Sequence, residues 1–522
     1  MDRTSKLLFQ RLKTPNGHTY EQPLGLFINN EIVASSSGRQ ITAIDPACVY
    51  ITKGRNKKIN FRIRTEETIA SVQAAGAEDV DKAVQSAKRA LQHPSWKLLP
   101  GTERGKLMSK LADLIEENQE LLASIDAWNN GMPYSAALAE DIPDASNTIR
   151  YFSGWADKIF GQTISTTPGQ KFAYTIRQPI GVVAQVIPWN YPLLMASWKL
   201  APALACGNTV VLKAAEQTPL SILVLAQLVK KAGFPPGVVN FINGFGPEAG
   251  SALVQHPLVD KVAFTGSTAT AQSIMSLASR TLKNITLETG GKSPLLVFAD
   301  ANLEQAVRWA HLGIMSNSGQ VCTATSRILI QREIYKSFVP KFRETIDTRS
   351  VIGDQWQESA YQGPQVSKVQ FERVLSYIQI GKEEGATLLI GGQPCPIHGK
   401  GYYIQPTVFT DVQDSMRIYR EEIFGPFAVL SIFDDESEAI SRANNTTYGL
   451  GASVFTNDLQ RAHRIAEEIE AGMVWINSSQ DCDFRVPFGG VKQSGIGREL
   501  GEAGLEAYSQ VKAIHVNMGS MI

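Results

Sequence analysis

Residues 181–192 read GVVAQVIPWNYP, 209–219 read TVVLKAAEQTP, 238–250 read VVNFINGFGPEAG and 261–268 read KVAFTGST. Each opens on a short run dominated by apolar and β-branched residues, as expected of a strand covered on both faces. These runs predict strands at Gly181–Ile187, Thr209–Lys213, Val238–Ile242 and Lys261–Thr265. Between them, Leu193–Cys206, Pro219–Ala232 and Glu248–Gln255 read as helices. The second places Ile222, Leu223, Leu225, Leu228 and Val229 at helical spacing, behind Thr218 as an N-cap. Strands alternating with helices of this length make βαβ units and a parallel sheet. The right-handed crossover rule puts helices on both faces, so the fold class is α/β with a doubly wound domain.

A second alternating series follows Gly291. Strands are expected at Pro294–Phe298, Arg327–Gln331, Val429–Phe433, Gly451–Phe455 and Met473–Ile476. Helices are expected at Asn302–Met315, Val366–Glu384, Glu436–Ala443 and Leu459–Ile469. The series part at Thr289-Gly290-Gly291, a natural hinge. A chain of 522 residues is long enough for two or three domains. Its 50 basic and 50 acidic side chains cancel, and no reader motif stands out, which argues against nucleic acid. No apolar run approaches the ~20 residues of a membrane span, and Met1–Tyr20 lacks a secretory apolar core. The five cysteines, Cys48, Cys206, Cys322, Cys395 and Cys482, are far apart and lack zinc spacing. These features predict no metal site and a reducing, cytoplasmic compartment.

Three residues stand where chemistry can be done. Cys322 follows the turn Asn317-Ser318-Gly319-Gln320-Val321, and is either a nucleophile or a small buried hydrophobe. Glu288 ends an apolar strand before Gly290-Gly291-Lys292-Ser293; it faces the crevice beyond the sheet or simply lies on the surface. A P-loop is excluded, because position 286 is threonine rather than glycine. Asn190, bracketed by Pro188 and Pro192, is an oxyanion donor or an ordinary turn asparagine. Phe264-Thr265-Gly266-Ser267-Thr268 suits a pyrophosphate at a helix N-terminus. Gly246 lies in a glycine-rich turn one unit earlier, and Lys213 and Glu216 end a strand where ribose hydroxyls are held. His463 and Asn477 downstream of Cys322 loosely allow a papain-like hydrolase, but the local cysteine signature is absent.

Taken together, PWNYP, LKAAEQTP, FTGST, LETGGKSP, GQVC, EEIFGPF and PFGGVKQSG, in that order, resemble the aldehyde dehydrogenase superfamily from about Leu24 to Val516. The resemblance implies NAD-dependent oxidation of a free aldehyde. Cys322 would be the nucleophile, Asn190 the oxyanion donor and Glu288 the base that hydrolyses a thioester. For the cofactor it implies Trp189, Lys213, Glu216, Gly246, Ser267, Glu422 and Phe424. Glu216 favours NAD over NADP, because a carboxylate repels a 2′-phosphate. Tyr191, Trp198, Val321 and Thr323 would line the substrate tunnel and Ser478–Arg485 its mouth. A non-catalytic relative is the alternative, opposed by the presence of all three reactive residues.

The resemblance also divides the chain. Residues 20–160 and 177–290 would bind NAD, 291–492 would carry the catalytic residues, and 161–176 with 508–518 would form a sheet shared by a homodimer or homotetramer. Three departures stand out. Ala271 replaces a usual glycine, and Thr289 a commoner leucine; both effects should be small. Residues 48–65 interrupt the family pattern with six basic side chains and no acidic one. They form a basic surface loop, or they are intronic sequence whose removal restores a continuous stretch; the sequence favours the second.

Overall fold

The computed structural model describes residues 8–56, 59–519 and 521, with backbone alone for the described part of 49–66. Eight strands form the first sheet, in the order Gly495–Ile496, Asn284–Glu288, Lys261–Thr265, Val182–Val186, Thr209–Lys213, Val239–Ile242, Leu26–Ile28 and Glu31–Val33. The five from Asn284–Glu288 to Val239–Ile242 run parallel. Their side chains alternate between two cores, as period two requires. Val183, Val210, Leu212, Val239 and Phe241 pack into one; Val182, Ala184, Val211, Ile242 and Val262 pack into the other. Helices Pro192–Ala205 and Leu220–Ala232 cover the first face, and Ala77–Gln92 and Thr268–Ala278 the second.

The strand order fixes where a ligand can sit. After Val182–Val186 the chain adds two strands on one side, then crosses back to add Lys261–Thr265 on the other. That reversal opens a crevice beyond the carboxyl ends of the two neighbouring strands. Trp189-Asn190 follows one of them and Gly266-Ser267 the other.

The chain leaves this sheet after Glu288 and begins the second at Pro294. Its order is Thr387–Ile390, Thr407–Thr410, Phe427–Phe433, Arg327–Gln331, Pro294–Val297, Gly451–Phe455 and Met473–Ile476. All neighbours are parallel except the first pair. A third, antiparallel sheet joins Thr163–Thr167, Lys171–Pro179 and Ser509–Asn517.

Several local expectations need correction. Thr218 does not cap its helix: Pro219 holds the N-cap position with φ −84° and ψ −15°, and Thr218 Oγ1 is buried without a partner among the described residues. The helix expected at Glu248–Gln255 starts two residues earlier, as a π-helical turn at Gly246–Gly250, and continues as Ser251–Gln255. The helix Arg332–Arg349 escaped the sequence pattern because Pro340 and many charged residues break its apolar stripe. The basic segment is not a loop. It lengthens an antiparallel ribbon, Gln40–Asn56 with Ile59–Gln73, pairing Tyr50 with Thr65, Thr52 with Arg62 and Asn56 with Ile59. Of its six basic residues, Lys57 and Lys58 lie outside the described residues.

Candidate active site

Cys322 ends a stretch of unusual backbone. Asn317, Ser318 and Gly319 all have positive φ, at 46°, 54° and 72°. Only the third requires glycine: a Cβ there would collide with the Gly425 carbonyl. The loop is pinned from outside. Ser318 Oγ donates to the Gly363 carbonyl (2.8 Å), Gln365 Nε2 to the Ser318 carbonyl (3.2 Å) and the Val366 N–H to Gln320 Oε1 (3.0 Å). A side chain on a strained loop held by such bonds is preorganised rather than mobile.

Asn190 meets this loop from the first sheet. Its Nδ2 donates to the Gln320 carbonyl at 3.0 Å, which leaves its second N–H free for another acceptor. Its backbone carbonyl accepts from Asn317 Nδ2 (3.1 Å) and Asn130 Nδ2 (3.2 Å). Backbone and side-chain amide of Asn190 are therefore each anchored, the side chain by the one bond to Gln320. Among the described residues the Cys322 N–H donates to no backbone acceptor.

Glu288 is buried, and neither carboxylate oxygen has a hydrogen-bond partner among the described residues. Burial first, and Glu499 second, push it well above the ordinary carboxylate range, against the pull of Lys199 and Arg498. It lies beneath a glycine turn: a Cβ on Gly489 would stand 2.6 Å from its Oε1. Burial likewise raises the Cys322 thiol, with further upward pressure from Glu288, Glu422 and Cys482.

Cys322, Asn190 and Glu288 line one cavity of about 960 Å³, together with Trp189, Ser267, Glu422 and Phe424. Trp189 and Phe424 meet edge to face, with centroids 5.3 Å apart and planes at 85°. Glu422 accepts from the Gly291 N–H (3.1 Å), and burial lifts its pKa to about 7. Gly290 makes room for it, since a Cβ there would overlap its carboxylate. Ser267 caps the helix Thr268–Ala278 by accepting from the Thr270 N–H. Lys213, Glu216 and Gly246 stand apart from the cavity lining as a second cluster. Glu216 Oε1 accepts from the Gly246 N–H (2.6 Å) and lies 3.3 Å from Lys213 Nζ.

A sequence profile of the aldehyde dehydrogenase family matches residues 52–514. The chain is 48% identical to an aldehyde dehydrogenase of Aspergillus niger over 517 residues, 99% of each chain. It is 48% identical to the NAD(P)+ aldehyde dehydrogenase 1 of Saccharomyces cerevisiae over 504 residues, 95% of this chain and 96% of the other. It also superposes on the NAD+ complex of aldehyde dehydrogenase from Bacillus cereus with TM-score 0.90 and 44% identity, covering 99% of each. The chain belongs to the aldehyde dehydrogenase family.

In this aldehyde dehydrogenase the hydrolase alternative falls away. His463 is exposed on the helix Leu459–Glu468, outside the cavity, and the Asn477 amide is bound to the Thr456 backbone. Sequence reasoning missed Lys199 and Glu499, an ion pair buried beside Glu288, with Lys199 Nζ also donating to Thr265 Oγ1 (2.7 Å). One signal for Lys199 was present: it is the only charged residue in the apolar helix Pro192–Ala205. Asn130 and Gln480 carried no local signal. Gln480 reaches in from the segment Ser478–Arg485 and donates to the Thr323 carbonyl (2.9 Å), beside Cys322. Of the two departures near the site, Ala271 packs within the second core of the first sheet. Thr289 does more than fill space: its hydroxyl donates to the Gln493 carbonyl at 2.6 Å and ties the strand that carries Glu288 to the Val491–Ser494 turn.

Proposed function

We propose that this aldehyde dehydrogenase oxidises its substrate to the carboxylic acid with NAD+ through a thioester on Cys322. The observation that carries the reading is the convergence of Cys322, Asn190 and Glu288 on one cavity that opens to the switch-point crevice. Cys322 bonds to the aldehyde carbon as its thiol loses a proton. The oxyanion takes the free N–H of Asn190 and the Cys322 N–H, each donor worth about 3–4 kcal/mol in the transition state. NAD+, when bound, accepts the hydride that carries two electrons off the substrate carbon. Glu288 then takes a proton from water, whose oxygen displaces sulfur and frees the acid.

The residues present suit the dinucleotide. Ser267 and the N–H groups behind it offer a pyrophosphate seat. Glu422, buried with one N–H donor, has acceptor capacity for the nicotinamide ribose, and Trp189 and Phe424 would help to hold the nicotinamide. Lys213 and Glu216, beside Gly246, would hold the adenosine ribose. Glu216 is fixed by that N–H and by Lys213, so its charge disfavours a 2′-phosphate and favours NAD+. Solved relatives bound to NAD+ support the same choice. Residues 20–160 and 177–290 form the NAD-binding domain and 291–492 the catalytic domain. Residues 161–176 and 508–518 form a sheet joining subunits of a homodimer or homotetramer, in the cytoplasm.

The test is NADH formation with aliphatic and aromatic aldehydes. Turnover by the wild type and none by Cys322→Ala supports the reading; equal rates for the two would overturn it.

A further inference from the structure

Cys322 sits between two anchored neighbours. On its N-terminal side the Gln320 carbonyl accepts from Asn190. On its C-terminal side Thr323 is gripped twice by one side-chain amide, that of Gln480. The Thr323 hydroxyl donates to Gln480 Oε1, while Gln480 Nε2 donates to the Thr323 carbonyl (2.9 Å) and to the Gly313 carbonyl (3.4 Å). Gly313 lies in the last turn of the helix Leu303–Met315, where carbonyls lack an intrahelical partner. The same carbonyl accepts from the Thr325 N–H (2.9 Å). The run after Cys322 is thus stitched to that helix directly at Thr325 and through Gln480 at Thr323. The amide fits in one orientation: turned over, its oxygen would face two carbonyls.

Gln480 is presented from a rigid support. Asn477 and Gln480 have φ 57° and 67°, in the left-handed region that a glutamine rarely adopts. The segment is tied at both ends. Asn477 exchanges two bonds with the Thr456 backbone, and Trp475 Nε1 donates to the Asp481 carbonyl (2.9 Å). Ser479, next to Gln480, is fully buried. A disfavoured backbone over-determined in this way points to a role for the side chain it aims. Thr323 is buried as well, so its hydroxyl and carbonyl have little water to turn to once Gln480 lets go.

We infer that Gln480 is a positioning residue for the first chemical step. It fixes the C-terminal flank of Cys322, as Asn190 fixes the other. Sγ then meets the aldehyde carbon, and the Cys322 N–H the developing oxyanion, in a single geometry. Gln480 acts through Thr323 rather than on the reacting atoms. This inference rests on the reading of Cys322 as the nucleophile and adds a residue that aims it.

The test is single turnover, with enzyme and NAD+ in saturating excess over propanal or benzaldehyde. The rate constant of NADH appearance then reports only the steps up to hydride loss. Gln480→Met keeps the side chain's length and removes all three bonds. Its rate constant should fall about tenfold, the scale of a sub-ångström misplacement, with the thermal unfolding midpoint near wild type. Gln480→Glu turns a carboxylate oxygen on two carbonyls and should be at least as slow. Thr323→Val removes one bond at nearly constant shape and should cost about threefold. The double variant Gln480→Met/Thr323→Val should be no slower than Gln480→Met, because that bond is already gone. A merely structural role would lower the fraction of enzyme able to react and leave the rate constant of the remainder unchanged. That result, or losses that multiply in the double variant, would overturn this inference and leave Cys322 as the nucleophile. No NADH from the wild type with either aldehyde would overturn both.

Discussion

Asn190 Nδ2 donates to the Gln320 carbonyl at 3.0 Å, so the amide proposed to meet the oxyanion is anchored to the backbone two residues before Cys322. One N–H holds the loop and the other is left for the substrate. The bond also crosses between parts of the chain 130 residues apart, coupling the turn after the first sheet's central strand to the cysteine loop.

Asn190→Ala should therefore lower kcat by about 10²–10³, the usual loss of one oxyanion donor. KM should change far less. Steady-state NADH kinetics check this; an unchanged kcat would remove Asn190 from the chemistry.

The pH profile follows from the raised groups. Cys322 is held up by burial, Glu288 and Glu422, and Glu288 by burial and Glu499. Both are needed deprotonated, and a raised pKa means the reactive form grows as pH rises. kcat/KM should therefore rise with increasing pH, by up to tenfold per unit on the steep limb. A profile that peaks below neutrality would contradict this assignment.

Gly489 has φ 153°, and its missing Cβ leaves 2.6 Å to Glu288 Oε1. Gly489→Ala must displace the carboxylate. Hydrolysis of the thioester should slow by at least about tenfold, while the first-turnover NADH burst persists. Stopped-flow absorbance separates the two phases, and equal slowing of both would point to a general packing defect instead.

Deleting residues 48–65 shortens the ribbon Gln40–Asn56/Ile59–Gln73 but keeps its pairs from Gln40–Gln73 to Asp45–Glu67. Loop length carries a cost of only ~0.6 kcal/mol per doubling, so the fold and turnover should survive. Thermal unfolding and NADH formation check this, and intact mass of the native protein tells whether the segment is present at all.

The parallel core was legible because both its faces are covered, which leaves strands as unbroken apolar runs and helices as amphipathic intervals. Cys322, Glu288 and Asn190, which line one cavity, drew notice for a related reason: each stands at or beyond the end of such an element, beside a glycine or proline signature. Lys199 and Glu499 were not. They lie 300 residues apart and become a pair only when the helix Pro192–Ala205 packs beneath the C-terminal turn. Thr289 looked like a minor packing change until its hydroxyl found the Gln493 carbonyl. The edge strand Thr387–Ile390 and its neighbour Thr407–Thr410 are four residues each, too short for alternation to show.

The most direct test of the account is the fate of Cys322 in Glu288→Gln. With aldehyde and NAD+, this variant should release about one equivalent of NADH per subunit and then stall. Mass spectrometry should find the acyl group on the peptide containing Cys322. Steady turnover with no burst, or an adduct on another residue, would contradict the thioester on Cys322 and the assignment of Glu288 as the base that removes it.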